Sequence, residues 1–132
     1  MQKFKKKQIT IITVVKNSAS TIEKCIKSVL DQNYDEIEYI VIDGNSEDGT
    51  KEILKKYKNK IDNLIIENDK GIWDAMNKGV EVASGEIIGF LNADDFYYPG
   101  ALDLVNQYFE NQEIDFLFGS VKKYKIMHGY QP

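Results

Sequence analysis

One stretch of the sequence constrains the fold more than any other: QITIITVVK, at 8–16, is almost continuously apolar and rich in β-branched residues. Such a run is typical of a strand covered on both faces, because a half-exposed strand alternates apolar with polar residues. Apolar residues at helical spacing follow at once, from Ile22 to Leu30, and predict an amphipathic helix. Ser20 and Glu23 have the spacing of a capping box at its start.

The same strand–helix pattern recurs along the whole chain. Further strands are predicted at 38–43, 61–68, 86–91 and, as a last strand or hairpin arm, 114–125. Further helices are predicted over 51–58, over 71–84 and from Pro99 onward. This alternation predicts the α/β class, with a mainly parallel sheet and helices on both faces. The 132 residues are enough for a single domain, 1–132, with one core.

The helix predicted over 71–84 raises a question of packing. Its inward face is predicted to hold the apolar residues Ile72, Ala75, Met76, Val80 and Ala83. Trp73 and Tyr34 are predicted to be packing residues as well. Gly79 inside the helix costs about 1 kcal/mol relative to alanine, and indicates close packing, approach of a ligand, or a break in the helix.

Composition narrows the classes of function. The net charge of −4 argues against nucleic acid as the main ligand, because such binding relies on Lys and Arg. The single cysteine, Cys25, excludes an internal disulfide, is predicted to lie in the core, and fits a reducing compartment. No apolar run approaches the roughly 18 residues of a transmembrane segment. We therefore expect a cytoplasmic protein, with weak lipid contact through the basic run at 3–7 as an alternative to a solvated tail.

Polar clusters follow three of the predicted strands, at 15–17, 43–46 and 92–95. In parallel α/β sheets, ligands bind outside the carboxyl ends of the strands, so we expect these clusters to share one rim. Asp94 and Asp95 repel each other unless a cation such as Mg²⁺ or Mn²⁺ joins them, although they could equally cap the next helix. The cluster at 43–46 is either a simple turn or a site for a nucleobase or ribose.

Four motifs together resemble family 2 glycosyltransferases, especially the bacterial enzymes that build capsule, O-antigen and exopolysaccharide chains. These are T-V-V-K-N at 13–17, D-G-N-S-x-D-G-T at 43–50, D-K-G-I-x-D-A-M-N-K-G at 69–79 and N-A-D-D at 92–95. The resemblance runs from about Gln8 to about Lys122. It implies the GT-A fold, a Rossmann-like nucleotide-sugar-binding fold, and a saccharide or lipid-linked saccharide as acceptor at the inner face of the membrane.

The resemblance also implies an activity and a donor site. The activity is transfer of a sugar, with inversion, from a nucleoside diphosphate sugar to an acceptor hydroxyl, with UDP as the expected nucleotide. By position, the residues implied to border the nucleoside, the base and the diphosphate are Thr13, Val15, Asp43, Asp69, Lys70 and Asn77. Lys70, when judged from its sequence alone, is either solvated or placed to reach an anion.

The family's D-x-D motif falls on residues 92–94. Asn92 stands at its first Asp, which commonly contacts ribose or sugar, and Asp94 stands at its last, the usual metal ligand. The resemblance therefore implies Mn²⁺ or Mg²⁺ as cofactor, with Asp94 and the following Asp95 as ligands. Asn92 departs from the pattern, because it removes one charge while it can still form hydrogen bonds.

The family's catalytic base lies well after the D-x-D motif. The acidic residues in 100–132 have the pattern of solvated charges, so we expect the base beyond Pro132 and this chain to be the donor-binding part of a longer enzyme. The alternative is a non-catalytic module that binds nucleotide sugars or a protein partner. A nucleotidyltransferase is disfavoured, because no glycine-rich signature follows the first strand. Phe116, Leu117 and Phe118 are candidates for self-association.

Overall fold

The computed structural model describes residues 6–117 and residue 119, and within them strands and helices alternate. The strands are β1 (Ile9–Val15), β2 (Ile37–Asp43), β3 (Asn63–Ile66) and β4 (Ile87–Phe90). The helices are α1 (Ile22–Leu30), α2 (Thr50–Lys56), a short 3₁₀ turn (Lys58–Lys60), α3 (Ile72–Val82) and α4 (Ala101–Asn111). The predicted α/β class is thus confirmed. None of these helices is long and apolar enough to cross a bilayer.

All four strands are parallel and pair in the order β3-β2-β1-β4. β1 pairs with β2 over its full length, from Ile9 with Ile37 to Val15 with Asp43. The strand order reverses at β1, because β2 and β3 lie on one side of it and β4 on the other. Sheets of this kind bind ligands at such a switch point, outside the carboxyl ends of the strands. The fold therefore directs attention to the carboxyl ends of β1 and β4.

One face of the sheet carries most of the core. Helices α1, α2 and α4 all contribute to it, through residues such as Ile26, Leu54 and Leu102, and Cys25 is fully buried there as predicted. Alternate residues of β1 and β2, including Ile11 and its neighbour in register, point into the same layer. Each large apolar side chain buried in this way contributes about 1.5–3 kcal/mol to stability.

Among the described helices, α3 covers the opposite face, and it packs Ala75 against the β1 and β2 residues Ile12, Val14, Ile40 and Ile42. Gly79 is buried at this contact, where a Cβ atom would lie 2.6 Å from Cγ2 of Ile12. The structure therefore favours close packing among the explanations for this glycine. The prediction that Ile72 and Val80 point inward is wrong: these residues are 47% and 43% exposed, because α3 approaches the sheet through its smallest residues.

β4 differs from the covered strand that its sequence predicts. Ile88 and Phe90 are 41% and 47% exposed, because β4 is the edge strand of the described sheet and α3 lies over its centre. The capping box is also wrong: Thr21 precedes α1, and no side chain caps the helix. α4 begins at Ala101 after Gly100, whose φ is +83°, so Pro99 lies outside the helix.

Some expectations fall partly or wholly outside the described residues. The strand predicted at 114–125 is one; its described residues 114–117 are in neither helix nor strand. Phe118 and the first part of the basic run at 3–7 also lie outside the described part of the chain.

Candidate functional site

A depression of about 300 Å³ opens at the carboxyl ends of β1 and β4. Its lining comes from three segments that are distant in sequence: the end of β1, the first residue of α3 and the turn after β4. The lining residues are Val14, Ser18, Ile72, Asn92, Ala93 and Asp94. The depression thus lies at the point where the strand order reverses, which is the expected ligand position in a doubly wound sheet.

The β4 loop, defined as residues 91–100, presents its acidic side chains to solvent. Asn92, Asp94 and Asp95 are exposed, and no hydrogen bond joins their side chains to another of the described residues. Partial burial and the charge of Asp94 raise the pKa of Asp95 above its ordinary value. A pair of like charges without a compensating cation is the arrangement that a bound divalent ion would stabilise.

The backbone of the β4 loop, in contrast, is held by hydrogen bonds to α1 and to Gln32, which lies two residues beyond the end of α1. Cys25 Sγ lies 3.4 Å from the carbonyl oxygen of Asn92, and Ser28 Oγ accepts a hydrogen bond of 3.1 Å from the Tyr97 amide. Gln32 donates to the Tyr98 carbonyl at 2.9 Å and accepts from the Leu102 amide at 3.1 Å.

Sequence reasoning missed these contacts. The available signal was weak: Cys25 and Ser28 in α1, and Gln32 just beyond it, recur every three to four residues and so lie along one line of the helix surface. The loop that carries Asp94 and Asp95 is therefore fixed in place by backbone contacts, while its acidic side chains stay free.

The β2 loop, defined as residues 44–49, is held by the carboxylates of Asp43 and Asp48. Asp43 at its base is completely buried, and its carboxylate accepts hydrogen bonds from the Ser46 amide at 3.0 Å and from Ser46 Oγ at 2.5 Å. Asp48 accepts from the Ala19 amide at 3.1 Å and from Thr50 Oγ1 at 2.6 Å. The bond from Thr50 is the main cause that lowers the pKa of Asp48. Asp43 thus fixes the β2 loop onto the end of β2, and Asp48 ties the loop to Ala19 in the segment that follows β1.

Thr13 and Val15 lie at the end of β1, but their side chains point into the core. Thr13 is completely buried, with its Oγ1 atom 2.9 Å from the hydroxyl oxygen of Tyr39. Val15 is 5% exposed, and its carbonyl accepts a hydrogen bond of 2.9 Å from the Gly44 amide. In this arrangement a ligand beyond the strand end meets the loop backbone rather than these two side chains.

Asp69 and Lys70 lie between β3 and α3. Asp69 Oδ1 accepts a hydrogen bond of 3.0 Å from the Gly71 amide. Asp69 Oδ2 would lie 2.7 Å from a Cβ atom at Gly44, so the carboxylate rests directly against the end of β2. Lys70 is exposed, and so is Asn77 on the second turn of α3. Asp69 is therefore close to the β2 loop, whereas Asn92 and Asp94 line the depression.

The site offers few ligands to a metal. No group of three or more His, Cys, Asp or Glu side chains that could hold a metal ion is present among residues 6–117 and 119. Mg²⁺ and Mn²⁺ nevertheless bind commonly through one or two protein carboxylates, with phosphate oxygens of the substrate completing their coordination. Two exposed, uncompensated carboxylates fit this kind of ion when it arrives with a diphosphate.

Comparison with known proteins identifies the family. The family model described as "Glycosyl transferase family 2" matches residues 10–131. The chain belongs to glycosyl transferase family 2. Similar proteins in this family include glycosyltransferase AglE of Haloferax volcanii, which is 40% identical over 91 residues that make up 65% of this chain and 30% of AglE. The putative teichuronic acid biosynthesis glycosyltransferase TuaG of Bacillus subtilis is 34% identical over 114 residues, which are 83% of this chain and 45% of TuaG.

Solved structures of glycosyltransferases share the fold. S. aureus TarS 1-349 in complex with UDP-GlcNAc superposes with a TM-score of 0.72 and 26% identity, over 78% of this chain and 31% of that one. The mannosyltransferase PcManGT of Pyrobaculum calidifontis, in complex with GDP-Man and Mn²⁺, gives a TM-score of 0.67 and 27% identity, over 77% and 31%. The family 2 chain therefore has the GT-A fold, and it spans less than half the length of these relatives.

Proposed function

We propose that this chain binds a nucleoside diphosphate sugar at the depression between β1 and β4, as the donor-binding part of an inverting, metal-dependent glycosyltransferase. One observation carries the proposal: the acidic β4 loop stands exposed at the switch point of the sheet, and no residue of 6–117 or 119 forms an ion pair with Asp94 or Asp95. Family membership supports it, as do the two similar structures, which hold UDP-GlcNAc and GDP-Man.

In this proposal Asp94 and Asp95 hold Mn²⁺ or Mg²⁺ through their carboxylate oxygens. When bound, the ion neutralises the charge that develops on the departing diphosphate. Asn92 lines the same depression with a neutral amide, which can both donate a hydrogen bond to a sugar or ribose hydroxyl and accept one from it. The departure from the D-x-D pattern at this position thus keeps its hydrogen-bonding capacity.

The nucleoside is proposed to lie beyond the ends of β1 and β2. Thr13 and Val15 support this position from beneath, with their side chains buried in the core, and Asp43 shapes the adjacent loop through Ser46. Asp69 contacts Gly44, just after β2, on the side of the nucleoside position that is farther from β4. Exposed Lys70 lies just before the amino end of α3, where both its charge and the helix dipole attract a diphosphate. Asn77, on the second turn of α3, is proposed to lie beside the same diphosphate.

Inversion follows from direct displacement. The acceptor hydroxyl attacks the anomeric carbon opposite the diphosphate, its proton passes to a carboxylate base, and the glycosidic oxygen of the diphosphate leaves with the bonding electrons. Asp94 and Asp95 are not available as that base while they are bound to a cation. Among the described residues that line the depression, Asp94 is the only carboxylate, so this proposal assigns the base to none of them.

The experiment that tests the proposal is calorimetric titration of the folded chain with UDP, with and without Mn²⁺. Asp94→Asn should weaken Mn²⁺-dependent UDP binding at least tenfold, because it removes a charged metal ligand. Asp35→Asn is the matched control, because Asp35 is exposed and lies before β2, near the amino ends of the strands and away from the depression. Absence of UDP affinity in a folded chain with Mn²⁺ present would overturn the proposal.

A second candidate function is a module that binds nucleotide sugars without transferring them. It is favoured by the lining of the depression, whose one carboxylate among described residues is the proposed metal ligand. A panel of UDP-, GDP- and dTDP-sugars distinguishes the two functions. An enzyme releases or transfers sugar from one of them, whereas a binding module only retains it.

The wider role that we propose is synthesis of cell-surface polysaccharide in the cytoplasm, at the inner face of the membrane, on a saccharide or lipid-linked acceptor. The similar protein TuaG carries a name from teichuronic acid biosynthesis, which supports this role. Self-association through Phe116 and Leu117, which are 81% and 36% exposed, belongs to the same proposal. Sedimentation of a clean monomer at high concentration would remove that part.

A further inference from the structure

We propose that Trp73 is a stacking platform for a pyranose ring at the rim of the depression. This inference rests on the proposed function and deepens it, because it assigns the surface that recognises the sugar rather than the nucleotide. The ring belongs either to the donor or to the acceptor, and both present the same chemistry to an aromatic side chain: an apolar C–H face edged by hydroxyl groups.

The exposure of Trp73 is the first observation. Its sequence context predicts a packing residue, yet the side chain is 76% exposed in the first turn of α3. Tryptophan is the largest apolar side chain, and leaving it in water forgoes favourable burial. A large exposed aromatic beside a polar depression is typical of a binding surface.

The direction of Trp73 follows from the helix that carries it. Lys78, on one flank of α3, pairs with Glu67 directly after β3 at 3.0 Å. Trp73 and Val80, seven residues apart, lie together on the other flank. Because the strands are ordered β3-β2-β1-β4, that other flank is turned toward β4 and its loop. Ile72, the immediate neighbour of Trp73, lines the depression together with Asp94.

The first turn of α3 is held rigidly, as a stacking surface requires. The Gly71 amide donates to Asp69 Oδ1 at 3.0 Å, and the Lys70 amide donates to Asp74 Oδ2 at 2.9 Å. The Ala75 amide then closes the first helical turn on the Gly71 carbonyl at 3.1 Å. The backbone that carries Trp73 is therefore already ordered before a ring settles on the side chain, which lowers the entropy cost of binding.

The polar groups nearby match a sugar. Asn92 and Asp94 share the depression with Ile72, and their amide and carboxylate oxygens accept hydrogen bonds from hydroxyl groups. An apolar face beside such acceptors complements a pyranose. A nucleobase could also stack on an indole ring, but the proposed nucleoside position lies at β1 and β2, away from the β4-facing flank of α3.

The experiment uses the emission of Trp73 itself, because the chain contains one tryptophan. The full chain with Mn²⁺ is titrated first with UDP alone, and then with UDP-GlcNAc, UDP-glucose, UDP-galactose and GDP-mannose. Methyl glycosides are added separately to the UDP complex. A response to a nucleotide sugar beyond that to its nucleotide assigns the ring to the donor, and a response to a methyl glycoside assigns it to the acceptor.

Affinities from calorimetry accompany the emission. Trp73→Ala should weaken binding of the responding sugar about tenfold, Trp73→Tyr should retain most of it, and both should change UDP affinity less than twofold. Tyr108→Ala is the matched control, because it also removes an exposed aromatic side chain, from α4 on the opposite face of the sheet. Its sugar affinity should equal that of the unmodified chain.

The experiment distinguishes failure of the Trp73 platform from failure of the proposed function. UDP binding that persists while no sugar in the panel changes the emission or depends on Trp73 would overturn the platform and leave the proposed function intact. An emission change complete with UDP alone would assign Trp73 to the nucleotide, and would also overturn the platform. Absence of UDP binding altogether would remove the proposed function and the platform together.

Discussion

The β2 loop and the β4 loop lie on either side of the end of β1, where the strands of the sheet end, and acidic residues are found at both. At the β2 loop, Asp43 and Asp48 accept hydrogen bonds from neighbouring amides and hydroxyls, so their charge is used to hold the backbone. At the β4 loop, α1 and Gln32 hold the backbone, and the charges of Asp94 and Asp95 remain uncompensated.

The difference shows how to distinguish structural from ligand-binding carboxylates. A carboxylate that accepts amide and hydroxyl hydrogen bonds in the folded chain stabilises it, whereas one that meets only another carboxylate destabilises it slightly until a cation binds. Removing an acidic residue should therefore have opposite effects in the two loops. The predictions below test this contrast, beginning with the largest effect.

Replacing Asp43 with alanine should lower the free energy of unfolding by about 3 kcal/mol, because hydrogen bonds to a charged acceptor are lost and the buried partners at Ser46 are left unsatisfied. Urea unfolding followed by circular dichroism measures the change. Asp35→Ala, at an exposed position, should change it by less than about 0.5 kcal/mol. A loss below about 1 kcal/mol for Asp43→Ala would contradict a structural role for the buried carboxylate.

Replacing Gln32 with alanine should cost about 2 kcal/mol, because the buried Leu102 amide loses its partner and the Tyr98 carbonyl, which still accepts from the Ala101 amide, loses the hydrogen bond from Gln32. Hydrogen exchange should speed up in the β4 loop and at the start of α4, and stay unchanged in the β2 loop. Gln107→Ala provides the control, since Gln107 is exposed on α4. Uniform acceleration over both loops would mean that they are not held independently.

Replacing Asp95 with asparagine should raise the free energy of unfolding by a few tenths of a kcal/mol at neutral pH, because it relieves repulsion with Asp94 at an exposed site. The same variant should weaken Mn²⁺-dependent UDP binding about tenfold. Thermal melts with and without Mn²⁺ and UDP measure both effects. Destabilisation by this variant in the absence of metal would place Asp95 with the structural carboxylates.

The smallest expected effect is a difference between the pKa values of Asp48 and Asp95. Asp48 has a lowered pKa, so its contribution to stability is present above the ordinary aspartate value and is lost as pH falls through the lowered one. Asp95 has a raised pKa, so its penalty is absent below the ordinary value and develops as pH rises through the raised one. NMR titration of the side-chain carboxyl carbons should give Asp48 the lower midpoint. Reversed midpoints would contradict the contrast between the loops.

Much of the fold could be predicted from the sequence, because hydrophobic periodicity reports burial directly. The run at 8–16 indicated a strand covered on both faces, and the structure buries all seven residues of β1, which lies between β2 and β4. Periodicity failed where burial depends on distant elements. The sequence around Ile88 and Phe90 does not indicate that α3 leaves these residues exposed. Val80 has the helical spacing of a buried residue, but it lies beside the contact between Gly79 and Ile12 and is exposed.

The rim that carries the candidate site was predictable from the sequence, and the contacts of its side chains were less so. Polar residues after apolar strands indicated the rim, since parallel strands end at one edge. The sequence could not tell that the carboxylate of Asp43 is turned inward onto Ser46, because Asp43 and Asp94 look alike as residues that follow a strand. The contacts of Ser28 and Gln32 depend on how α1 meets a loop more than sixty residues away in sequence.

The missing side chain at Gly79 has a consequence at a distance. Because no methyl group separates α3 from Ile12, the helix axis sits low on the sheet, and its first residue, Ile72, comes down far enough to form one wall of the depression. The depth of the depression is thus set by Gly79, which lies two helical turns beyond Ile72. A larger residue at position 79 should lift α3 away from the sheet. Such a substitution would change the shape of the depression without altering any residue that lines it.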